Sequence, residues 1–163
     1  AGSATTTLLI GNLLHRLMEH PEQLELVQRD RSLIPNAVEE SLRYDAPVHG
    51  LFRTNNRPVT LHDVEIPQDS KVYMMFGPVN RDPELWDEPD RFDITRDLKQ
   101  LRQHAAFGVG IHVCLGAPLS RIEAAVALEL VLDRLPRLRP NGPPSQVRPA
   151  VVKGFESLPV RWD

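Results

Sequence analysis

Cysteine is nearly absent from this chain: Cys114 is the only one in 163 residues. A lone cysteine excludes an intrachain disulfide and a four-thiolate metal cage. It also fits a reducing compartment such as the cytoplasm better than a disulfide-dense secreted fold. Strong charge imbalance is absent too. The formal net charge is −3, with no basic excess of the kind that marks nucleic-acid binders, so no nucleic-acid partner is expected. No apolar run approaches membrane-spanning length, so no membrane partner is expected either. There is no internal repeat and no low-complexity tract. Proline, by contrast, is in excess: 15 residues against a usual share of about 5%. The prolines are scattered through loops, where they mark chain reversals and no domain boundary. With 41% hydrophobic residues, residues 1–163 read as a single globular unit with its own core.

What the chain does have is concentrated around that one cysteine, in Phe107-Gly108-Val109-Gly110-Ile111-His112-Val113-Cys114-Leu115-Gly116. Gly108, Gly110 and Gly116 lack a Cβ, so the backbone there can bend sharply and lie close to a flat ligand. Backbone N–H groups freed in such a turn can point at the sulfur. Downstream, the run from Ala117 reads as a long helix ending near Arg134, with Pro118 acceptable in its first turn. Cys114 then sits at a helix N-terminus, where the dipole favours a thiolate. A thiolate on one iron is one use of such a site. A buried structural cysteine, a zinc site with His104 and His112, and a Cys/His nucleophile pair are the others.

The remaining pattern is mostly helical. Apolar residues recur at helical spacing from residue 1 to His20, and Pro21 ends that run. Helices are expected over Pro21–Arg29 and Pro35–Tyr44, and short strands over Arg57–Leu61, Val64–Ile66 and Lys71–Phe76. A helical turn is expected within Val79–Trp86, mostly irregular chain over Asp87–His104, and a terminal hairpin over Val151–Val160. Glu40 and Arg43, three apart on the third helix, share one face.

The glycine-rich decapeptide resembles the haem-ligand signature of the cytochromes P450, F-x-x-G-x-(H/R)-x-C-x-G, at Phe107, Gly110, His112, Cys114 and Gly116. The continuation Leu-Gly-Ala-Pro-Leu-Ser-Arg looks like the soluble bacterial branch. The resemblance implies a mainly α fold with small β-sheets (α+β), the C-terminal haem-binding half of the cytochrome P450 fold. The chain would begin inside the helix that crosses the distal face of the haem, with the N-terminal half absent.

The resemblance also assigns roles. Cys114 is the metal ligand of a haem b (iron protoporphyrin IX). Phe107, Gly108, Gly110, Gly116 and Ala117 shape the cofactor site, and His112 and Arg53 bind the haem propionates. Glu40, Arg43 and Arg91 form a structural charge network. Ala1–Thr6 resembles the oxygen-activation motif A-G-x-(D/E)-T-T, with Gly2 opening the helix groove and Thr5 beside dioxygen. Ala4 departs from the acidic residue of that motif, which puts efficient proton delivery in doubt. Ala1, Val48, His49, Gly50, Leu51 and Phe155 match segments lining the substrate pocket.

The implied activity is that of a haem-thiolate monooxygenase acting on a lipophilic small molecule, with electrons from a ferredoxin-type donor. A positive patch of Arg96, Lys99, Arg102 and Arg121 is expected near the cysteine loop. A non-catalytic partner or scaffold protein and a peroxide-using haem enzyme are the alternatives. The fragment alone is expected not to be competent. It would self-associate, or require the N-terminal half as a second chain, because an apolar face of its first helix would lie bare.

Overall fold

A computed structural model of the chain describes residues 2–148 and 151–163. Three helices carry the core: α1 (Ser3–Glu19), α3 (Ile34–Tyr44) and α6 (Ala117–Arg134). Helix α2 (Pro21–Arg29) follows α1 directly, because Pro21 cannot continue one helix yet fits the first turn of the next. Leu9, Leu13 and Leu17 stack at four-residue spacing on α1. They pack with Val38 and Leu42 of α3, Leu128 and Leu132 of α6, and Phe92 and Ile94 from an irregular segment.

Among the described residues the strands form four two-stranded antiparallel ribbons. β1 (Gly50–Thr54) pairs with β4 (Lys71–Met75), and β2 (Val59–Leu61) with β3 (Val64–Ile66). Two short helices follow, α4 (Phe76–Val79) and α5 (Leu98–Leu101). Beyond α6, β5 (Arg139–Pro140) pairs with β8 (Val160–Arg161), and β6 (Ser145–Gln146) with β7 (Phe155–Ser157).

The stretch 87–104 is mostly irregular and carries α5, capped by Asp97, whose carboxylate accepts from the Gln100 N–H. Three expectations are corrected. Helix α1 begins at Ser3, and Gly2 precedes it at φ 98°. No hairpin forms within 151–160. Pro159 has no N–H to donate, and β7 and β8 each find a partner earlier in the chain. Finally, the bare apolar face is not on α1, whose leucines are buried or half-buried. It lies on α6, where Leu119, Ile122, Val126 and Leu130 face solvent opposite the buried Ala117, Ala124, Leu128 and Leu132. These four bulky apolar side chains share the outer surface of α6 with the exposed Glu123, Glu129, Asp133 and Arg134.

Candidate functional site

The cysteine loop leaves α5 and reaches the head of α6 through a tight turn. Gly108 and Gly110 both adopt φ 72°, left-handed backbone that a Cβ would strain. A single 3-10 turn spans Gly110–His112. The Cys114 N–H donates to the Phe107 carbonyl at 2.9 Å, and the Ala117 N–H donates to the Cys114 carbonyl at 3.2 Å. These bonds tie Phe107, Cys114 and the buried first residue of α6 into one unit. Cys114 itself is exposed and free. The expected N–H···S bonds do not form among the described residues. The N–H groups of Val113 and Cys114 go instead to the carbonyls of Gly110 and Phe107.

Beneath the loop is a buried charge network. Glu40 and Arg43 are fully inaccessible, at 0% each. All five guanidinium donors of Arg43 are used. Nε and Nη2 form a fork on Glu40 at 2.7 and 2.8 Å, Nη1 donates to the carbonyls of Asn80 and Pro89, and Nη2 also donates to that of Arg91. The Asp93 N–H donates to Glu40 Oε1 at 2.8 Å. Asn80, also buried, carries the connection onward: its side-chain oxygen accepts from the Ala105 N–H at 2.6 Å, two residues before Phe107.

The third cation is Arg96, not Arg91. Arg96 Nε lies 3.5 Å from Glu40 Oε1, and its fork donates to the carbonyls of Asp87, Glu88 and Arg91. Only the Arg91 backbone carbonyl joins the network. Its side chain is exposed and turns to Glu88 at 2.9 Å and Asp93 at 3.6 Å, which raise its pKa. Those two acids, three before and two after Arg91, are the sequence signal that competes for it.

A second cluster had no sequence signal. Glu39, buried beside Glu40, is gripped by Arg121 of α6 and by His104 of the loop. Burial pushes its carboxyl pKa up, but the hydrogen bonds from His104 and Arg121 and the Arg121 charge outweigh it and hold it below 4.5. A carboxyl so depressed stabilises the fold fully above its ordinary range and ceases to do so as pH falls through the folded value. The melting temperature is therefore expected to drop on acidification below that range, and to drop less steeply in Glu39→Gln. Parallel profiles in a pH series of melts would remove Glu39 from the acid response.

The other expected residues scatter. Arg53 is exposed on β1, where its Nη1 bonds only the Phe52 carbonyl among the described residues. Alternation along the strands puts Arg53 and Leu51 on one face with their partners Val72 and Met74. His112 is exposed. Thr5 is half-buried, and its hydroxyl makes no hydrogen bond among the described residues. Its neighbours Thr6 and Thr7 bond back to the carbonyls of Gly2 and Ser3. Ala4 is exposed, and Ala1 lies outside the described residues. Val48 bridges Val152, while the ring of Gly50's neighbour His49 packs against Gly77. Phe155 is half-buried, and its ring meets His15 of α1 edge-on at 4.4 Å. The expected positive patch is reduced, because Arg96 and Arg121 face inward to Glu40 and Glu39. Lys99 and Arg102 stay exposed, although Arg102 Nε also lies 3.7 Å from Glu39 Oε1.

The family model for cytochrome P450 matches residues 1–150. The chain belongs to the cytochrome P450 family. It is 45% identical to cytochrome P450 107B1 of Saccharopolyspora erythraea, over 99% of this chain and 40% of that protein. It is 43% identical to the 6-deoxyerythronolide B hydroxylase of the same organism, over 100% of this chain and 40% of that protein. The solved structure of CYP109E1 from Bacillus megaterium in complex with testosterone superposes with a TM-score of 0.95 at 38% identity, covering 100% of this chain and 45% of that one. The chain thus spans about 40% of the length of the curated cytochromes P450 it matches.

A cytochrome P450 carries a haem iron, and the residues here fit one. The solvent-facing thiol of Cys114 lies among exposed apolar side chains: Val109, Ile111, Val113 and Leu115, with Ile111 and Leu115 each 96% exposed. Side chains so bare, on a turn opened by two left-handed glycines, are what a flat apolar ligand covers. No helix among the described residues is long and apolar enough to cross a membrane.

Proposed function

We propose that these residues form the thiolate-ligand portion of a haem-thiolate monooxygenase that acts in the cytoplasm on a lipophilic small molecule. The observation that carries this reading is the exposed Cys114 thiol, held in a left-handed glycine turn at the head of α6 amid bare apolar side chains. Cys114 Sγ is the iron ligand of a haem b. When bound, that group activates dioxygen with two electrons and two protons, so that one oxygen atom enters a C–H bond or alkene and the other leaves as water.

This chain's residues do the rest. Gly108 and Gly110 let the loop lie flat against the ring, and Phe107, Gly116 and Ala117 hold the turn. Arg53 binds a propionate by a two-bond fork, with Leu51 and Met74 beside it as apolar wall. His112 binds the second propionate. On α1, the Thr5 hydroxyl is free to hold a proton or a water, while the exposed Ala4 offers no acid beside it. Val48, His49, Gly50 and Leu51 bound the substrate. A haem titration followed by reduction and carbon monoxide tests the reading. A strongly red-shifted Soret band is expected, and a haem that binds without it overturns the proposal.

Electrons are proposed to arrive from an acidic ferredoxin at Lys99 and Arg102. Long-range attraction of this kind speeds encounter and is screened by salt. Lys99→Glu combined with Arg102→Glu is expected to slow reduction at low ionic strength and to flatten its salt dependence. Unchanged stopped-flow reduction at low salt rules out that docking face.

A further inference from the structure

Glu39 stands outside the Glu40 network, on the same turn of α3, and holds chain on both sides of the cysteine. Its Oε1 accepts from Arg121 Nε at 2.6 Å, and its Oε2 accepts from Arg121 Nη2 at 3.1 Å. Oε2 also lies 2.9 Å from His104 Nε2. The Ala106 N–H donates to His104 Nδ1 at 3.2 Å. Nδ1 is thus placed to accept, and Nε2 to donate to Glu39. His104 precedes the cysteine in the loop, and Arg121 follows it in the second turn of α6.

Both partners then converge on Phe107. The Arg121 guanidinium lies over its ring, 4.5 Å from the centroid, and the His104 ring centroid is 5.8 Å from it. Phe107 in turn accepts the Cys114 N–H. A guanidinium above an aromatic face is attracted by the ring quadrupole. Here it is kept there by a fork on a carboxylate, the strongest directional tether available to it. The chain of contacts runs from Glu39 through Arg121 and His104 to Phe107, and from Phe107 to the cysteine backbone.

We infer that Glu39 is a positioning residue for Cys114. It pins Arg121 and His104 on either side of Phe107, and so confines the sulfur-bearing turn to one geometry and keeps a guanidinium one aromatic ring away from the ligand. Glu39 touches neither the thiol nor the cofactor site. Its role is separate from that of Glu40, which braces the segment from Asn80 to Arg96. The inference rests on Cys114 being the iron ligand.

The test compares Glu39→Gln and Glu39→Asp with wild type in the haem-loaded protein. The readout is the rate at which the red-shifted carbon-monoxide band decays to the unshifted one. The haem-free protein supplies a second readout, the rate of Cys114 alkylation by iodoacetamide. Loss of a charge-assisted hydrogen bond shifts a local ordering equilibrium roughly tenfold. Decay is therefore expected about tenfold faster in Glu39→Gln, alkylation is expected to change with it, and Glu39→Asp is expected to recover part of both. Should Glu39→Gln fail to fold, Arg121→Gln supplies the same comparison from the less buried partner. A lowered melting temperature with wild-type decay and wild-type alkylation overturns the inference and leaves Glu39 a stabilising residue only. Survival of the red-shifted band in Cys114→Ser would instead overturn the ligand assignment on which the inference rests.

Discussion

Replacing Cys114 with serine in the haem-loaded protein is expected to abolish the red-shifted Soret band of the reduced, carbon-monoxide-treated form. The shift would depend on an anionic sulfur supplied by Cys114 to the iron, and a serine hydroxyl does not ionise near neutral pH. The rest of the pocket would remain: Arg53 and His112 for the propionates, and the apolar residues around the turn for the ring. Haem binding should therefore weaken rather than vanish, while turnover falls to background. No second thiolate can substitute from within this chain, because Cys114 is its only cysteine. A band that persists in Cys114→Ser would falsify the assignment.

Arg43→Ala is expected to be the most damaging substitution away from the ligand. Arg43 satisfies five acceptors at once, two on Glu40 and three backbone carbonyls drawn from Asn80, Pro89 and Arg91. Its removal takes the two-bond fork from the buried Glu40 carboxylate, which keeps only the Asp93 N–H and the more distant Arg96, and strands the carbonyls of Asn80 and Pro89. Breaking a buried pair in this way typically costs ~3–5 kcal/mol, a large part of the stability of a domain of this size. Soluble expression or haem incorporation should be lost. Arg43→Lys should not restore it, since an ammonium cannot reproduce a planar five-donor fork. A soluble Arg43→Ala protein with a wild-type melting curve and only slower turnover would move Arg43 from support to chemistry.

The parts legible in the sequence are those fixed by local spacing. Five positions of one decapeptide identify the cysteine loop, and the three-residue offset of Glu40 and Arg43 places them on one helical face. The boundaries of α2, α3 and α6 follow from Pro21, Pro35 and Pro118, each acceptable only near a helix start. What escaped depends on how irregular chain folds back. Arg91 and Arg96 lie five residues apart in the same loop, and no periodicity says which guanidinium reaches Glu40. Glu39, His104 and Arg121 meet across 65 and 82 residues, a distance at which spacing carries no information. The terminal strands were readable as strands, but their partners were not. β7 and β8 pair with short segments near Pro140 and Ser145 that have little strand character of their own.

Helix α6 carries bulky apolar side chains on both faces, so apolar content alone does not tell it which way to turn, yet it is held in one orientation against α1 and α3. The two faces differ in volume. The inward side carries Ala117 and Ala124 ahead of Leu128 and Leu132, whereas the outward apolar side chains, Leu119, Ile122, Val126 and Leu130, include no small residue. Side-chain bulk is thus the steric key that sets the rotation of the helix about its axis. Because Ser120 and Arg121 ride on the same helix, that rotation also sets which way the Arg121 fork leaves it. Ala124, with no exposed surface, is the tooth of the key. A leucine there would keep the hydropathy of α6 intact and still cost about 1–3 kcal/mol in overpacking. The register of the cysteine loop is therefore encoded in part by the smallness of an alanine ten residues beyond Cys114 along the chain.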